Sequence, residues 1–409
     1  MVGIINSLVD IDYYKLTMAQ VAFRRFPDVP VTFSFMNRTS TVSLPNIIVE
    51  DDLRAELEWI GSLTFVPEEL DFLRESEQIP ARRFSDEFLA FLADLHLPPA
   101  TLEIGPSTLH IEVTAPWPEA TLWETLILSV VSELYGQAML RRHNTTAEGA
   151  HAKGRQRLAT KIALIKSDSR VHFSDFGTRR RFSRDWHREV VGTLASELPG
   201  QFLGTSNVLL AKEIGLPPIG TFGHEMEMVF SGIFHGSDEQ IRASHNKVFE
   251  VWWDEYGEAL SIALTDTYGT DFFLRNFTLD QARAWRGLRH DSGDPFEFGE
   301  KAIAFYEHHG IDPETKQLVF SDGLEVETMF QLVDHFDGRI QAVFGWGTNL
   351  TNDMGFEPLS MVVKAIKSCG NGTVKLSDNR DKAVGTPSDI QRFMRIFEHT
   401  KLPRLGVKY

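Results

Sequence analysis

Along the first 145 positions, some segments alternate apolar and polar residues as strands do, and others repeat apolar residues with the helical period. This mixture predicts an α+β lobe. Alternating segments typical of strands lie at residues 29–39, 101–103 and 108–113. Amphipathic helices are predicted at residues 51–60, 68–77 and 84–95, and a long helix is predicted at 118–142.

A different rhythm begins after about residue 145. Short apolar runs each end in a cluster of small and polar residues, and a helical pattern then follows. Repeated strand–helix units predict an irregular (β/α) barrel, whose functional groups gather at the carboxyl ends of the strands. The clusters are SDFGTRR (174–180), GTSN (204–207), GTFGHE (220–225), LTDT (264–267), RHDSGD (289–294), FSDGLE (320–325) and FGWGTN (344–349).

Composition and charge narrow the function classes. A chain of 409 residues predicts two domains, or one barrel with a substantial extra lobe. The net charge of −16 would repel a nucleic-acid backbone, so an anionic substrate needs basic groups gathered locally. Neither a signal-peptide pattern nor a membrane-helix pattern is present. The single cysteine, Cys369, provides no disulfide framework, and we expect a cytoplasmic protein.

Basic and glycine-rich turns supply the candidate anion sites. Three consecutive arginines, 179–181, end a predicted buried strand, where burial is costly unless an anion meets at least one of them. The turn 289–294 places an arginine and two aspartates at the start of a helix, a pattern that suits magnesium pyrophosphate. A capping turn with a surface ion pair would give the same pattern. The amides of the turn 345–348 could cradle a phosphate.

His224 is the candidate for covalent chemistry. It directly follows the turn 220–223, whose small residues allow close approach of a ligand to the backbone. A lone histidine is more often structural, but this one lies at a predicted barrel mouth. His224-Glu225 resembles the start of a zinc-binding HExxH motif, which Met228 excludes. Asp175-Phe176-Gly177 matches a short protein-kinase motif, but the chain lacks the other motifs of a protein kinase.

Taken together and in this order, the clusters resemble the nicotinate phosphoribosyltransferase family, in its bacterial form from the Preiss–Handler route to NAD. The resemblance runs from Asp12-Tyr13-Tyr14-Lys15-Leu16-Thr17 through every cluster to Lys375-Leu376-Ser377, and so covers nearly the whole chain. No single motif is decisive, but their collinear order is specific. The chain departs from the pattern at Met226, where bacterial relatives usually carry tryptophan.

This resemblance implies a type II phosphoribosyltransferase fold. An irregular α/β barrel is expected at 141–369, beside an α+β lobe formed by 1–140 and completed by 370–409. The resemblance also implies that His224 is phosphorylated and that Asp266 orients its imidazole through a hydrogen bond. The positions that match substrate-binding residues of the family are Tyr14, Phe176, Arg179, Ser206, Thr221, Arg289, Asp291, Gly323, Gly347 and Thr348.

The implied activity joins nicotinate to the ribose of phosphoribosyl pyrophosphate. The cofactors implied are ATP and Mg²⁺, with Asp291 holding the metal through magnesium pyrophosphate, and a homodimer is possible. Ser206, a neutral group able to donate to a carboxylate, stands where nicotinamide-using relatives carry aspartate.

Four alternatives stay open at this point. The nearest are nicotinamide phosphoribosyltransferase and, behind it, quinolinate phosphoribosyltransferase. A catalytically inactive NAD-pathway binding protein is disfavoured because His224, Asp266, Arg289 and Asp291 are all retained. An aldolase-like barrel would need a lysine at the end of a strand, for which Lys364 is the candidate.

Overall fold

The computed structural model describes residues 3–75, 84–399 and 404–406. These residues form an antiparallel sheet, of order β11-β10-β1-β3-β2, and a parallel sheet, of order β5-β4-β9-β8-β7-β6. The strands are β1 (Pro30–Asn37), β2 (Thr101–Ile104), β3 (Leu109–Pro116), β4 (Phe173–Asp175), β5 (Phe202–Thr205), β6 (Ile262–Leu264), β7 (Gly287–His290), β8 (Gln317–Phe320), β9 (Gln341–Trp346), β10 (Met361–Ser368) and β11 (Asn371–Gly372).

Helices cover both sheets, and short 3-10 turns occur between them. The helices are α1 (Tyr13–Arg25), α2 (Glu50–Gly61), α3 (Pro67–Glu75), α4 (Asp86–Asp94), α5 (Trp117–Ala120), α6 (Trp123–Arg142), α7 (Ala147–Ile165), α8 (Arg184–Glu197), α9 (Val208–Ile214), α10 (Glu225–Ile233), α11 (Asp238–Tyr256), α12 (Thr270–Asn276), α13 (Leu279–Ala284), α14 (Pro295–His308), α15 (Val326–Phe336), α16 (Thr348–Thr351) and α17 (Pro387–Ile396).

The predicted elements of the lobe are present, with shifted ends. The long helix predicted at 118–142 is divided into α5 and α6. The helix predicted at 68–77 is α3, and its last two predicted residues lie outside the described ones. α4 begins after Ser85, whose hydroxyl accepts a hydrogen bond from the Phe88 amide and so caps the helix.

The antiparallel sheet takes its strands from both parts of the chain. β1 lies between β3 and β10, and Phe35 pairs with Val363 in the register of β1 and β10. β10 falls within the range 141–369 expected for the barrel, yet it belongs to this sheet. The valines at its start favour a buried strand, and its pairing with β1 places that strand in the antiparallel sheet.

The parallel sheet confirms the predicted fold class of an irregular α/β barrel beside an α+β lobe. Each of its strands is short, and most are followed by a helix in the expected rhythm. The apolar run before the cluster 220–225 does not form a strand. It makes an isolated bridge between Thr205 and Pro218 instead, because consecutive prolines cannot donate to a ladder. β5 and β6 therefore form the two edges of the sheet in the described residues.

One continuous apolar core joins the two sheets. α6 is buried along most of its length, and its Trp123 is fully inaccessible to solvent. Among the described residues, no helix combines the length and the apolar character that crossing a membrane requires.

Candidate active site

The carboxyl ends of the parallel strands and residues of the antiparallel sheet line a common pocket. Asp266 is the one predicted site residue that does not line it. The predicted residues that do are Tyr14, Phe176, Arg179, Ser206, Thr221, His224, Arg289, Asp291, Gly323, Gly347 and Thr348. The βα rhythm of the sequence thus brings together side chains and turns that are distant along the chain.

His224 is buried immediately before α10, with both ring nitrogens engaged. Its Nε2 lies 2.8 Å from Asp291 Oδ2 and 2.7 Å from Lys375 Nζ. Its Nδ1 lies 2.9 Å from Thr267 Oγ1. Burial, reinforced by the charge of Lys375, lowers the pKa of His224 to about 4. The imidazole is therefore neutral near pH 7 and can act as a nucleophile.

Asp266 lies near Nε2 of this ring, just after β6. Its Oδ2 accepts hydrogen bonds from Ser292 Oγ at 2.5 Å and Ser377 Oγ at 3.2 Å. Burial by itself would raise the pKa of Asp266, but the charges of Lys375 and His224 outweigh it and lower the pKa to about 2. The carboxylate is thus ionised and held in place.

The hydrogen bond expected between Asp266 and His224 is not formed. Asp266 Oδ1 lies 3.7 Å from His224 Nε2, which exceeds hydrogen-bond distance. The partner at Nδ1 is Thr267, the next residue in the same LTDT cluster. Thr267 therefore makes the orienting contact that was expected of Asp266. Asp266 contributes charge.

His224, Asp266 and Asp291 resemble a metal-binding cluster, since one ligand atom from each lies within 4.8 Å of the others. Lys375 Nζ, however, lies 3.6 Å from both carboxylates and supplies their positive counter-charge. The interior of the cluster thus fits an ammonium group rather than a divalent ion. Asp291, whose side chain is 29% exposed, fits Mg²⁺ as a single carboxylate ligand beside substrate phosphates.

One end of the pocket is aromatic and positively charged. The Arg179 guanidinium lies 5.7 Å from the centre of the Tyr14 ring, and its Nε lies 3.3 Å from Asp12 Oδ2. The Phe176 ring lies against Gly345, where an added Cβ would come within 2.3 Å of the ring. Two rings and a guanidinium suit a small, planar, anionic molecule.

Ser206 lines this end of the pocket, but its hydroxyl donates to Asp12 Oδ1 at 2.7 Å. A hydroxyl has one proton, so Ser206 does not also donate to a ligand carboxylate in this arrangement. The expected direct contact is replaced by an indirect one. Ser206 orients Asp12, and Asp12 in turn pairs with Arg179.

The three consecutive arginines have three different environments. Arg181 forms a buried pair with Asp10, at 2.6 and 2.8 Å, and Arg179 pairs with Asp12. Arg180 donates only to the Met361 carbonyl among the described residues, at 3.1 and 3.0 Å. Burial, with the nearby charge of Arg179, lowers the pKa of Arg180 to about 10. Arg180 is therefore a partly buried cation that an anionic ligand would stabilise.

Further cations reach the pocket from the antiparallel sheet and the segment after it. Arg38 donates to the Lys382 carbonyl at 3.0 Å, and burial lowers the pKa of Lys364 to about 8. On the barrel side, Arg289 Nε has no hydrogen-bond partner in the described part of the chain. These groups form a positively charged region suited to phosphates. Lys364 lines the pocket from within β10 of the antiparallel sheet and not from the end of a parallel strand, so it does not meet the aldolase requirement.

Family models match both parts of the chain. The nicotinate phosphoribosyltransferase (NAPRTase) N-terminal domain matches residues 9–132, and the nicotinate phosphoribosyltransferase (NAPRTase) family matches residues 171–401. The chain belongs to the nicotinate phosphoribosyltransferase family. It is similar to the nicotinate phosphoribosyltransferase of Porphyromonas gingivalis, with 33% identity, a TM-score of 0.86, and coverage of 96% of this chain and 100% of that one. It is also similar to the nicotinate phosphoribosyltransferase of Vibrio cholerae, with 33% identity, a TM-score of 0.87, and coverage of 98% of this chain and 95% of that one.

Membership of the nicotinate phosphoribosyltransferase family confirms the predicted resemblance and places the protein among the phosphoribosyltransferases of NAD biosynthesis. Met226, the departure from the family pattern, is fully buried in the main core, away from the pocket lining.

Sequence reasoning assigned no role to several residues that complete the site. Lys375 and Thr267 lie inside recognised motifs, but their contacts with His224 depend on the fold. Arg38 has only a weak sequence signal, a basic residue beside an apolar strand, whereas Arg180 belongs to the arginine run that the sequence already identified as a candidate anion site. Lys364 was a candidate only for the lysine of an aldolase-like barrel.

Proposed function

We propose that this protein transfers the 5-phosphoribosyl group of phosphoribosyl pyrophosphate to nicotinate, giving nicotinate mononucleotide and pyrophosphate. The reaction is coupled to ATP hydrolysis through a phosphorylated His224. The observation that carries the proposal is that a neutral, buried histidine lines the same pocket as the aromatic anion site and the cationic region. A cytoplasmic location and a homodimer belong to the same proposal.

Nicotinate binds at the aromatic end in this proposal. Its ring lies near Tyr14 and Phe176, and its carboxylate pairs with Arg179, whose position Asp12 fixes. A charged carboxylate gains from a guanidinium that already lies in a partly desolvated pocket. The pyridine nitrogen then faces the interior of the pocket.

The phosphates of phosphoribosyl pyrophosphate bind in the cationic region. Arg38, Arg180 and Arg289 are suited to this task because the described residues provide none of them with a carboxylate partner. Asp291 would hold Mg²⁺ together with the pyrophosphate, and the metal would neutralise charge on the leaving group.

The transfer step forms a bond between the pyridine nitrogen and C1 of the ribose while the bond from C1 to pyrophosphate breaks. Positive charge develops on the ribose ring, as in glycoside hydrolysis. The protein contributes by holding the nitrogen and C1 in line and by stabilising the leaving pyrophosphate with the arginines.

The ATP step uses His224 as a nucleophile. The imidazole attacks the γ-phosphorus, the bond to ADP breaks, and water later releases phosphate from the ring. Lys375 and the cationic region offset the charge of the transferred group. Phosphorylation would thus change the charge of the pocket where the substrates bind.

The test combines product analysis with phosphoryl labelling. Nicotinate, phosphoribosyl pyrophosphate, Mg²⁺ and ATP should give nicotinate mononucleotide, and ATP labelled at the γ-phosphate should label the protein in an acid-labile form. His224→Asn should abolish labelling and ATP hydrolysis. His172→Asn, before β4 at the opposite end of the parallel sheet, serves as the control and should be labelled like wild type. Equal labelling of His224→Asn contradicts the proposal, and so does absence of the mononucleotide.

A further inference from the structure

A hydrogen-bonded chain of Thr267 and Glu227 lies behind His224, on the side away from the pocket. His224 Nδ1 is 2.9 Å from Thr267 Oγ1, and the Thr267 hydroxyl donates to Glu227 Oε2. Both Thr267 and Glu227 are fully buried, and neither lines the pocket. They therefore reach the substrates only through the imidazole.

This chain determines which nitrogen of His224 carries the hydrogen. A hydroxyl has one proton, and Thr267 gives it to the Glu227 carboxylate. The Thr267 oxygen can then only accept, so the hydrogen of the neutral imidazole lies on Nδ1. Nε2 is left with a free electron pair.

Two kinds of group compete at Nε2: the Lys375 ammonium favours an unprotonated nitrogen, and the Asp291 carboxylate favours a protonated one. Lys375 Nζ donates to Nε2 at 2.7 Å. Asp291 Oδ2 lies 2.8 Å from Nε2 and Asp266 Oδ1 lies 3.7 Å away, so two carboxylates face the same nitrogen. An ammonium group can only donate, so the Lys375 contact requires an electron pair on Nε2, while the 3.6 Å contacts of Lys375 with both carboxylates offset their charge.

Glu227 is itself held from behind. Its Oε1 lies 3.0 Å from His245 Nδ1, and the Tyr268 hydroxyl donates to its backbone carbonyl at 3.0 Å. The His245 ring is bordered by the rings of Phe249 and Phe272, each with its centre 5.0 Å away. Oε1 and His245 Nδ1 do not form a hydrogen bond, so among the described residues the carboxylate takes its hydrogen bond from Thr267.

We propose that Thr267 and Glu227 are positioning residues that fix the hydrogen of His224 on Nδ1 and present Nε2 to the phosphoryl group. The inference rests on the proposed phosphorylation of His224. In the step itself a bond forms between Nε2 and phosphorus while the bond from phosphorus to ADP breaks, and the Nδ1 hydrogen stays in place. The ring becomes cationic, and Glu227 stabilises that charge through the Thr267 hydroxyl.

The test uses Thr267→Val, which removes the hydroxyl at nearly constant volume, and Thr267→Ser, which restores it. Thr265→Val is the matched control, because Thr265 is equally buried and its hydroxyl contacts Thr270 and the Arg289 carbonyl instead. The ¹⁵N spectrum of labelled histidine reports the tautomer of His224, identified by comparison with His224→Asn. Single-turnover labelling from γ-labelled ATP reports the rate, and alkaline digestion identifies the phosphorylated nitrogen.

We expect one tautomer, with the hydrogen on Nδ1, in the wild type, in Thr267→Ser and in the control, and phosphate on Nε2 in each. Thr267→Val should lose the tautomer preference and slow phosphorylation by about ten- to hundredfold, the effect of one lost hydrogen bond to a developing charge. Phosphate on Nδ1 would overturn the positioning role, as would wild-type tautomer and rate in Thr267→Val. If the wild type takes up no label, the proposed function fails as well, which separates the two conclusions.

Discussion

Buried charges at the residue level connect the two ends of the pocket. Lys15 is fully buried and pairs with both Glu124 and Glu225. Glu225 directly follows His224 in the chain, while Glu124 lies 3.6 Å from Arg179. A buried carboxylate without a partner is strongly destabilising, so each of these charges requires the others. The network therefore fixes the aromatic end and the histidine relative to each other.

We expect individual residues to determine the choice of nicotinate over nicotinamide as well. Ser206→Asp would place a second carboxylate beside Asp12 and compete for Arg179, the proposed partner of the nicotinate carboxylate. We expect kcat/KM for nicotinate to fall at least about tenfold, equivalent to roughly 1.4 kcal/mol. Steady-state kinetics with both pyridines measure the effect, and Ser206→Ala, which removes the hydrogen bond to Asp12 without adding charge, separates the loss of the hydroxyl from the added carboxylate. Unchanged nicotinate kinetics in Ser206→Asp would contradict this account, as would equal use of nicotinamide by the wild type.

Helices and strands position the site through their ends. Asp291 and Thr348 follow the carboxyl ends of two strands of the parallel sheet. The sequence rhythm predicted this arrangement together with the fold class. The sequence did not predict the contact between Lys375 and His224, which lie 151 residues apart. Such a contact depends on how the chain after β11 crosses the pocket, and no local pattern encodes that path. The same limit applies to Thr267, since only the fold shows which residue of LTDT reaches the ring.

β9 contributes a glycine whose small size matters for the aromatic end. An added Cβ at Gly345 would lie 2.3 Å from the Phe176 ring, so Gly345→Ala should displace that ring. We expect KM for nicotinate to rise at least about tenfold, because a shift of about 1 Å in a positioning group is costly. Labelling of His224 from ATP should stay close to wild type. Gly192→Ala in α8, where an added Cβ meets nothing within 4 Å, is the control. An unchanged KM in Gly345→Ala would show that the ring does not hold the substrate.

At the level of the whole molecule, the two sheets are parts of one cooperative structure. The main apolar core includes residues of both, and β10 joins the later part of the chain to β1. α6 contributes to this core along most of its length. Because the pocket lies between the sheets, stability and site geometry depend on the same packing.

Glu133 on α6 makes the stability of this unit depend on pH. Burial raises the pKa of its carboxyl from 4.5 to about 7, although Arg181 acts in the opposite direction. Between those pH values the folded protein binds a proton that the unfolded chain does not, so stability falls as pH rises through this window. Glu133→Gln keeps an acceptor for the Arg184 amide and removes the cost of ionisation. Urea unfolding at pH 8 should show the variant more stable by about 1–3 kcal/mol, with little difference at pH 5. The control is Glu58→Gln, at an exposed position of α2, which should change stability at neither pH. Equal stability of Glu133→Gln and wild type at pH 8 would refute the argument.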